Sequence, residues 1–171
     1  SIGIAHKIGR EELVVPKEAI REKDIPLQIQ LFEEALIKTR KEIIELQKRI
    51  SLEMGQEEAQ IFDAHLLVLE DRMLIEDVIS RLKKEHLNVA HIFSEVLKKY
   101  INVFSKIEDE YLKERTADIN DVGKRILRHL LGKKGRGALS DLKEKAIIVA
   151  HDLSPSDTAA MHKQNVSGFV T

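Results

Sequence analysis

The sequence predicts an α+β protein, mostly α, in which an antiparallel helical bundle is inserted into an incomplete α/β domain. Three observations predict it. Short apolar segments punctuated by glycine and proline stand at both ends of the chain, in residues 1–22 and 133–171. Between them, residues 23–132 repeat apolar side chains at helical spacing. A glycine-rich, charged linker, Lys133-Lys134-Gly135-Arg136-Gly137, marks the change back.

The amino-terminal segment carries Gly3, Gly9 and Pro16, and Leu13-Val14-Val15 before the proline predicts a strand. From about Asp24 the period becomes helical. Leu27, Leu31, Ala35, Ile43, Leu46 and Ile50 recur with Lys38, Arg40, Lys41, Glu42 and Glu45 between them. That is an amphipathic helix of about seven turns. Gly55 interrupts it, and Gln56 to Leu69 predicts a second helix rich in Ile61, Phe62, Leu66, Leu67, Val68 and Leu69. Glu70-Asp71-Arg72 is a polar joint, after which Leu74, Val78 and Leu82 mark a third helical face.

Asn88 is a natural N-cap for a stripe of Phe93, Val96, Tyr100, Phe104, Ile107 and Tyr111. Ile119, Val122, Ile126 and Leu130 extend the pattern to Gly132, a helix terminator. The pattern leaves open whether one helix or two fill residues 88–131. Ala146-Ile147-Ile148-Val149-Ala150 predicts a short buried strand. Ser154-Pro155-Ser156-Asp157 reads as a helix start with a capping box, and Val166 to Thr171 as a further strand.

Composition narrows the function. At 43% hydrophobic and 33% charged, with 4% aromatic residues and no Trp, aliphatic helices are favoured over a β-sandwich. The 28 basic and 29 acidic residues leave a net charge of −1, which gives no argument for nucleic acid. The absence of Cys excludes disulfides, thiolate metal sites and thiol catalysis. No apolar run approaches the roughly 20 residues of a membrane span. The start Ser1-Ile2-Gly3-Ile4-Ala5 lacks a signal-peptide pattern, so a cytoplasmic, membrane-free protein is expected.

Of the seven histidines, His86 and His91 lie on different helix faces, and His6, His129, His151 and His162 have no partner pattern. No zinc motif is present. Glu57-Glu58 and Glu108-Asp109-Glu110 are adjacent runs whose members point apart, so solvated faces are the default. Gly135-Arg136-Gly137 matches no phosphate-cradling loop. The segment around His65 stands out, because Gly55 to Asp71 is too apolar to bury only one narrow stripe. Two readings stand side by side: a central buried helix, or an exposed apolar ridge rimmed by carboxylates and suited to docking.

Ile61-Phe62-Asp63-Ala64-His65 with Leu69-Glu70-Asp71, and then Asp109 to Arg115, resemble enzyme I of the bacterial phosphoenolpyruvate:sugar phosphotransferase system. Asp118, Asp121 to Arg128, Asp152 to Ala159 and Gly168 to Thr171 continue the resemblance in the family's order, from Gly3 to Thr171. The block from Tyr111 to Arg128 is its most specific part.

The resemblance implies a helical platform on which the phosphocarrier protein HPr docks, set in an α/β phosphohistidine (swivelling) domain. In that family, phosphate passes from phosphoenolpyruvate to an enzyme histidine and then to HPr. The Gly-Phe-Val-Thr strand leads into the segment carrying that histidine, so the reactive group is expected just after Thr171 and this stretch alone is expected to be inactive. The implied HPr-binding positions are Glu57, Ile61, His65, Leu67, Val68, Asp71, Leu74 and Arg115. Glu58 stands where a member of the family has Lys, and Met73 where it has Glu, so the rim charge departs from the pattern. No cofactor is implied within these residues. Mg²⁺ and homodimerisation belong to the family's carboxy-terminal part. A nitrogen-branch enzyme I, a dihydroxyacetone-kinase phosphotransfer subunit and a stand-alone carrier-binding adaptor are the alternative readings.

Overall fold

In the computed structural model the described residues are 4–8, 13–106, 110–133, 146–150 and 166–170, with side chains described for all but 4, 6–8 and 110–115. They fall into two compact units, Ser1–Glu12 with Lys134–Thr171, and Leu13–Lys133.

The first unit holds a three-stranded parallel sheet in the order β1-β2-β3, formed by β1 (Ile4–Ile8), β2 (Ala146–Ala150) and β3 (Val166–Val170). Ile4 pairs with Ala146 and Ile8 with Ala150. The central strand is the apolar one, as its place between two neighbours demands. Ala146, Ile148 and Ala150 are buried and alternate with half-buried Ile147 and Val149. A register shift between Ala146 and Ile147 sets Gly168 opposite Ile147. The strands expected at 146–150 and 166–171 are present. The one expected at Leu13-Val14-Val15 is not, and Val14 is largely exposed. The first strand is instead Ile4–Ile8, whose His6 and Lys7 break the apolar run; its identity comes from pairing with β2. The helix start expected at Ser154 lies outside the described residues.

The second unit begins at Leu13, earlier than the boundary expected near residue 23. The reason is a strip of backbone pairing: Ala19 bridges Leu87, and Ile20 N–H donates to the His86 carbonyl at 2.9 Å. Asn88 N–H donates to the Glu18 carbonyl at 2.9 Å, and the Asn88 side chain accepts from Glu18 N–H at 3.0 Å. Asn88 thus stands at the N-cap position but spends its side chain on the incoming chain. Gln28 satisfies Val89 N–H in its stead, at 2.8 Å.

Six helices follow. α1 (Ile25–Glu53) starts with Pro26 in its first turn and buries Ile25, Phe32, Ala35, Thr39, Ile43, Leu46 and Ile50. That stripe is rotated from the expected one at its start, and Leu27 and Leu31 face outward. The helix expected from Gln56 to Leu69 is two, α2 (Gln56–Ala59) and α3 (Ile61–Leu69). The break falls at Gln60, whose N–H bonds the Glu57 carbonyl and whose carbonyl takes Asp63 N–H, both three residues apart. α4 (Arg72–Glu85) buries Leu74, Val78 and Leu82, as the spacing predicts. Residues 88–131 resolve into two helices, α5 (Val89–Ser105) and α6 (Glu110–Leu130).

α5 and α6 pack closely because Gly123 gives Leu97 its place; a Cβ there would stand 2.6 Å from Leu97 Cδ1. The Phe32 and Phe93 rings meet at 5.6 Å between α1 and α5. α6 ends at Gly132, with φ at 63°, where Lys133 N–H reaches the Arg128 carbonyl and Gly132 N–H the His129 carbonyl. Among the described residues no helix is long and apolar enough to cross a membrane.

Candidate functional site

α3 is the most apolar helix of the bundle, yet among its nine residues only Phe62, His65 and Leu69 are buried. Leu67 is 60% exposed and Ile61 43%, with Val68 half-buried beside them. The chain then turns through Glu70 and Asp71 into α4. Asp71 is the N-cap of that helix, and its Oδ1 accepts from Leu74 N–H at 3.0 Å. The corner leaves a groove of about 170 Å³. Ala64, Leu67 and Val68 form one wall, Asp71 and Leu74 one end, and Tyr100, Phe104 and Ile119 the facing wall from α5 and α6. Burial, with the Asp71 and Asp77 carboxylates nearby, holds the Tyr100 phenol above its ordinary pKa, so it stays a neutral hydroxyl.

Of the positions read from the sequence, Leu67, Val68, Asp71 and Leu74 come together in this groove, and Leu74 is buried. Ile61 and Glu57 are exposed nearby in sequence on α3 and α2. Arg115 is on α6, four positions before Ile119, and its side chain is outside the description. His65 is fully buried and offers no surface to a partner. The carboxylates of the rim, Glu57, Glu58, Asp63, Glu70 and Asp71, are all exposed. Asp63 accepts from Gln47 at 2.7 Å and Glu70 pairs with Arg40, both tying α3 back to α1. The lining residues missed by sequence reasoning are Tyr100, Phe104 and Ile119. The signal for the first two was their place at the far end of the stripe that starts at Phe93.

His65 has a different setting. Its Nδ1 lies 3.1 Å from the Ile61 carbonyl one turn back and 3.8 Å from Asp118 Oδ1. Its Nε2 lies 3.3 Å from Asp121 Oδ2. Arg125 Nε stands 3.9 Å behind Asp121, and Glu42 of α1 joins Arg125 at 3.3 Å and His129 at 2.9 Å. Burial alone would push the His65 pKa down. The Asp121 carboxylate, the Ile61 carbonyl and the Asp118 charge outweigh it, and the net shift is upward. The described residues contain no group of three or more His, Asp or Glu placed to hold a metal ion.

Residues 1–115 match the family described as PEP-utilising enzyme, N-terminal. The chain is 39% identical over its whole length to the phosphoenolpyruvate-protein phosphotransferase of Priestia megaterium, and 37% identical to that of Staphylococcus carnosus (strain TM300). It spans 29% of the length of each. Its fold superposes on the NMR solution structure of an Enzyme I protein (nEIt) with a TM-score of 0.81 and 39% identity, covering 98% of this chain and 67% of that one. It also superposes on the N-terminal domain of Enzyme 1 - Nitrogen, with a TM-score of 0.68 and 24% identity, covering 95% and 66%. The chain therefore belongs to the PEP-utilising enzyme N-terminal family, as an enzyme I N-terminal domain of the phosphotransferase system.

Proposed function

We propose that the groove between α3, α4, α5 and α6 is where a small phosphocarrier protein of the HPr kind docks, within an enzyme that moves phosphate from phosphoenolpyruvate to that carrier. The single observation carrying this reading is the exposed apolar wall of α3 facing Tyr100, Phe104 and Ile119, with Asp71 at its end and Glu57 and Glu58 exposed on α2. Apolar centre and acidic surround fit a carrier whose face is basic and partly apolar. A carrier that must leave after each transfer calls for a contact of modest size that forms and dissociates quickly.

The reactive histidine, the phosphoenolpyruvate site with its Mg²⁺ and the dimer contact belong, on this reading, to other parts of the full-length cytoplasmic enzyme. His65 cannot serve as acceptor, since a buried ring cannot meet an incoming phosphorus in line. Two measurements test the proposal. In an NMR titration with labelled HPr, amide shifts should centre on Leu67, Val68, Tyr100 and Ile119, and Val68→Asp should weaken binding at least about tenfold. Shifts confined to another face of the bundle would discard the groove. Incubation of the 171-residue chain with ³²P-labelled phospho-HPr should leave it unlabelled. Stoichiometric label on any of its histidines would overturn the assignment of the acceptor elsewhere.

A further inference from the structure

The polar atoms around His65 fix its chemistry. Nδ1 faces the Ile61 carbonyl, which can only accept, so Nδ1 carries a proton. Nε2 faces the Asp121 carboxylate, which when ionised can also only accept. Nδ1 is satisfied by the Ile61 carbonyl; Nε2 makes no well-aligned hydrogen bond, but its 3.3 Å approach to the Asp121 carboxylate, with Asp118 3.8 Å from Nδ1, surrounds the ring with negative charge and favours the imidazolium. A buried charge of this kind is tolerable where it is paired, and Asp118 and Asp121 supply the pairing from α6.

The location matters as much as the charge. On α3, His65 stands next to Ala64 and within one turn of Leu67 and Val68, the first wall of the groove. On α6, Asp118 and Asp121 bracket Ile119, part of the facing wall. The helices that carry the two walls are thus joined by one imidazole, at positions next to the lining residues in sequence. Resting on the docking reading above, we propose that His65 is a positioning residue for carrier binding: as an imidazolium it clips α3 to Asp118 and Asp121 and fixes the separation of the groove's walls. Among the described residues, the following groups face or support the ring. Asp118, Asp121 and, behind Asp121, Arg125 come from α6; the Ile61 carbonyl and the Phe62 ring, 5.4 Å away, come from α3 itself. From α1, Glu42 acts through Arg125, and Gln47 takes up Asp63. Loss of the proton removes the attraction and leaves two carboxylates against a neutral ring, so the clip should loosen as pH rises.

The experiment uses the full chain and needs no variant for its first arm. NMR titration of the histidine ring protons should place the His65 midpoint above the ordinary value of about 6.5, and the amide signals of Leu67, Val68 and Ile119 should move with that same midpoint. A His65 midpoint at or below the ordinary value, or groove amides that ignore it, would overturn the proposal with no carrier present. The second arm measures HPr affinity for wild type and His65→Gln across the same pH range. Their ratio cancels any titration of the carrier. It should favour wild type several-fold at low pH and approach one above the His65 midpoint. A ratio that stays constant would reduce His65 to a structural group and overturn the positioning role. If wild type binds no HPr at any pH, the docking reading fails, while the coupled titration of ring and groove still decides whether His65 sets the walls. Asp121→Asn, which keeps a polar partner, should bring the His65 midpoint down; no movement would remove Asp121 from the clip.

Discussion

α3 and α5 dispose of their apolar residues differently. α5 buries Val89, Ala90, Ile92, Phe93, Ser94, Val96 and Leu97, and its position follows from area removed from water, a non-directional force of about 25 cal/mol per Å². In α3 every residue but Asp63 and His65 is apolar, yet of those seven only Phe62 and Leu69 are buried, and Ile61 and Leu67 are exposed. Its position follows from directional contacts: His65 with Asp118 and Asp121, Asp63 with Gln47, and, just beyond its end, Glu70 with Arg40. The difference teaches that polar clips let α3 leave Leu67 and Val68 to a partner along its length, whereas α5, fixed by the burial of Val89 to Leu97, frees only its far end, where Tyr100 and Phe104 reach the groove.

Substitutions should therefore separate stability from docking. Phe93→Ala, at the fully buried contact with Phe32, should cost about 3–5 kcal/mol and lower the melting temperature by roughly ten degrees or more. Thermal unfolding followed by circular dichroism measures it, and HPr affinity of the protein still folded should be unchanged. Gly123→Ala should cost less, about 1–3 kcal/mol, because the added Cβ must displace Leu97. A Phe93→Ala protein that keeps its melting temperature but loses binding would reverse the comparison.

Much of this division was legible in the sequence, and what was not has identifiable causes. The helices around Leu74, Val78 and Leu82 and around Phe93 and Val96 follow from periodicity, because there apolar spacing and burial coincide. For Gly55 to Asp71 periodicity was uninformative, since a helix apolar on nearly every face has no preferred side. The side it buries is set by its polar exceptions. His65 was grouped with the docking residues through the family resemblance, but the carboxylates that draw it inward are more than fifty positions away on α6. Local pattern did not place the first strand, and the family's first strand fitted His6-Lys7-Ile8-Gly9 only loosely, for a related reason: Ile4–Ile8 is defined by pairing with Ala146–Ala150, a relation no local pattern contains. Leu27 and Leu31 were placed in the first helix's core because their spacing to Ala35 is helical. Phe32, one position on, fills the core in their stead.

The polar clip also predicts a pH dependence that burial alone would not. The folded-state pKa of His65 is raised above its unfolded value of about 6.5. Its contribution to stability is therefore fully present below that value and is lost as pH rises through the folded pKa. Urea unfolding of the wild type should show stability declining with pH across that window, and His65→Gln should remove that part of the slope. A stability that rises with pH there, after the same subtraction, would mean that the ring is buried neutral and the clip does not exist.

The smallest effect tests whether the groove's acidic end acts by charge or only by shape. Asp71 does two things at once: it caps α4 through Leu74 N–H, and it places an exposed carboxylate at the end of the apolar wall. A charge reversal would confuse the two, because Lys cannot accept the Leu74 hydrogen bond. Asp71→Asn keeps an acceptor oxygen at the cap and removes only the charge, so stability should change by no more than a few tenths of a kcal/mol. Asp71→Ala, which loses the acceptor, should cost about 1 kcal/mol. If the carboxylate guides a basic carrier, Asp71→Asn should weaken HPr binding about two- to threefold at low salt and have little effect near 0.5 M, where the screening length falls to a few ångströms. The measurement is a pair of NMR titrations at the two ionic strengths. Equal losses at both would assign Asp71 a shape role, and the electrostatic part of the docking surface would then rest on the other carboxylates of the rim.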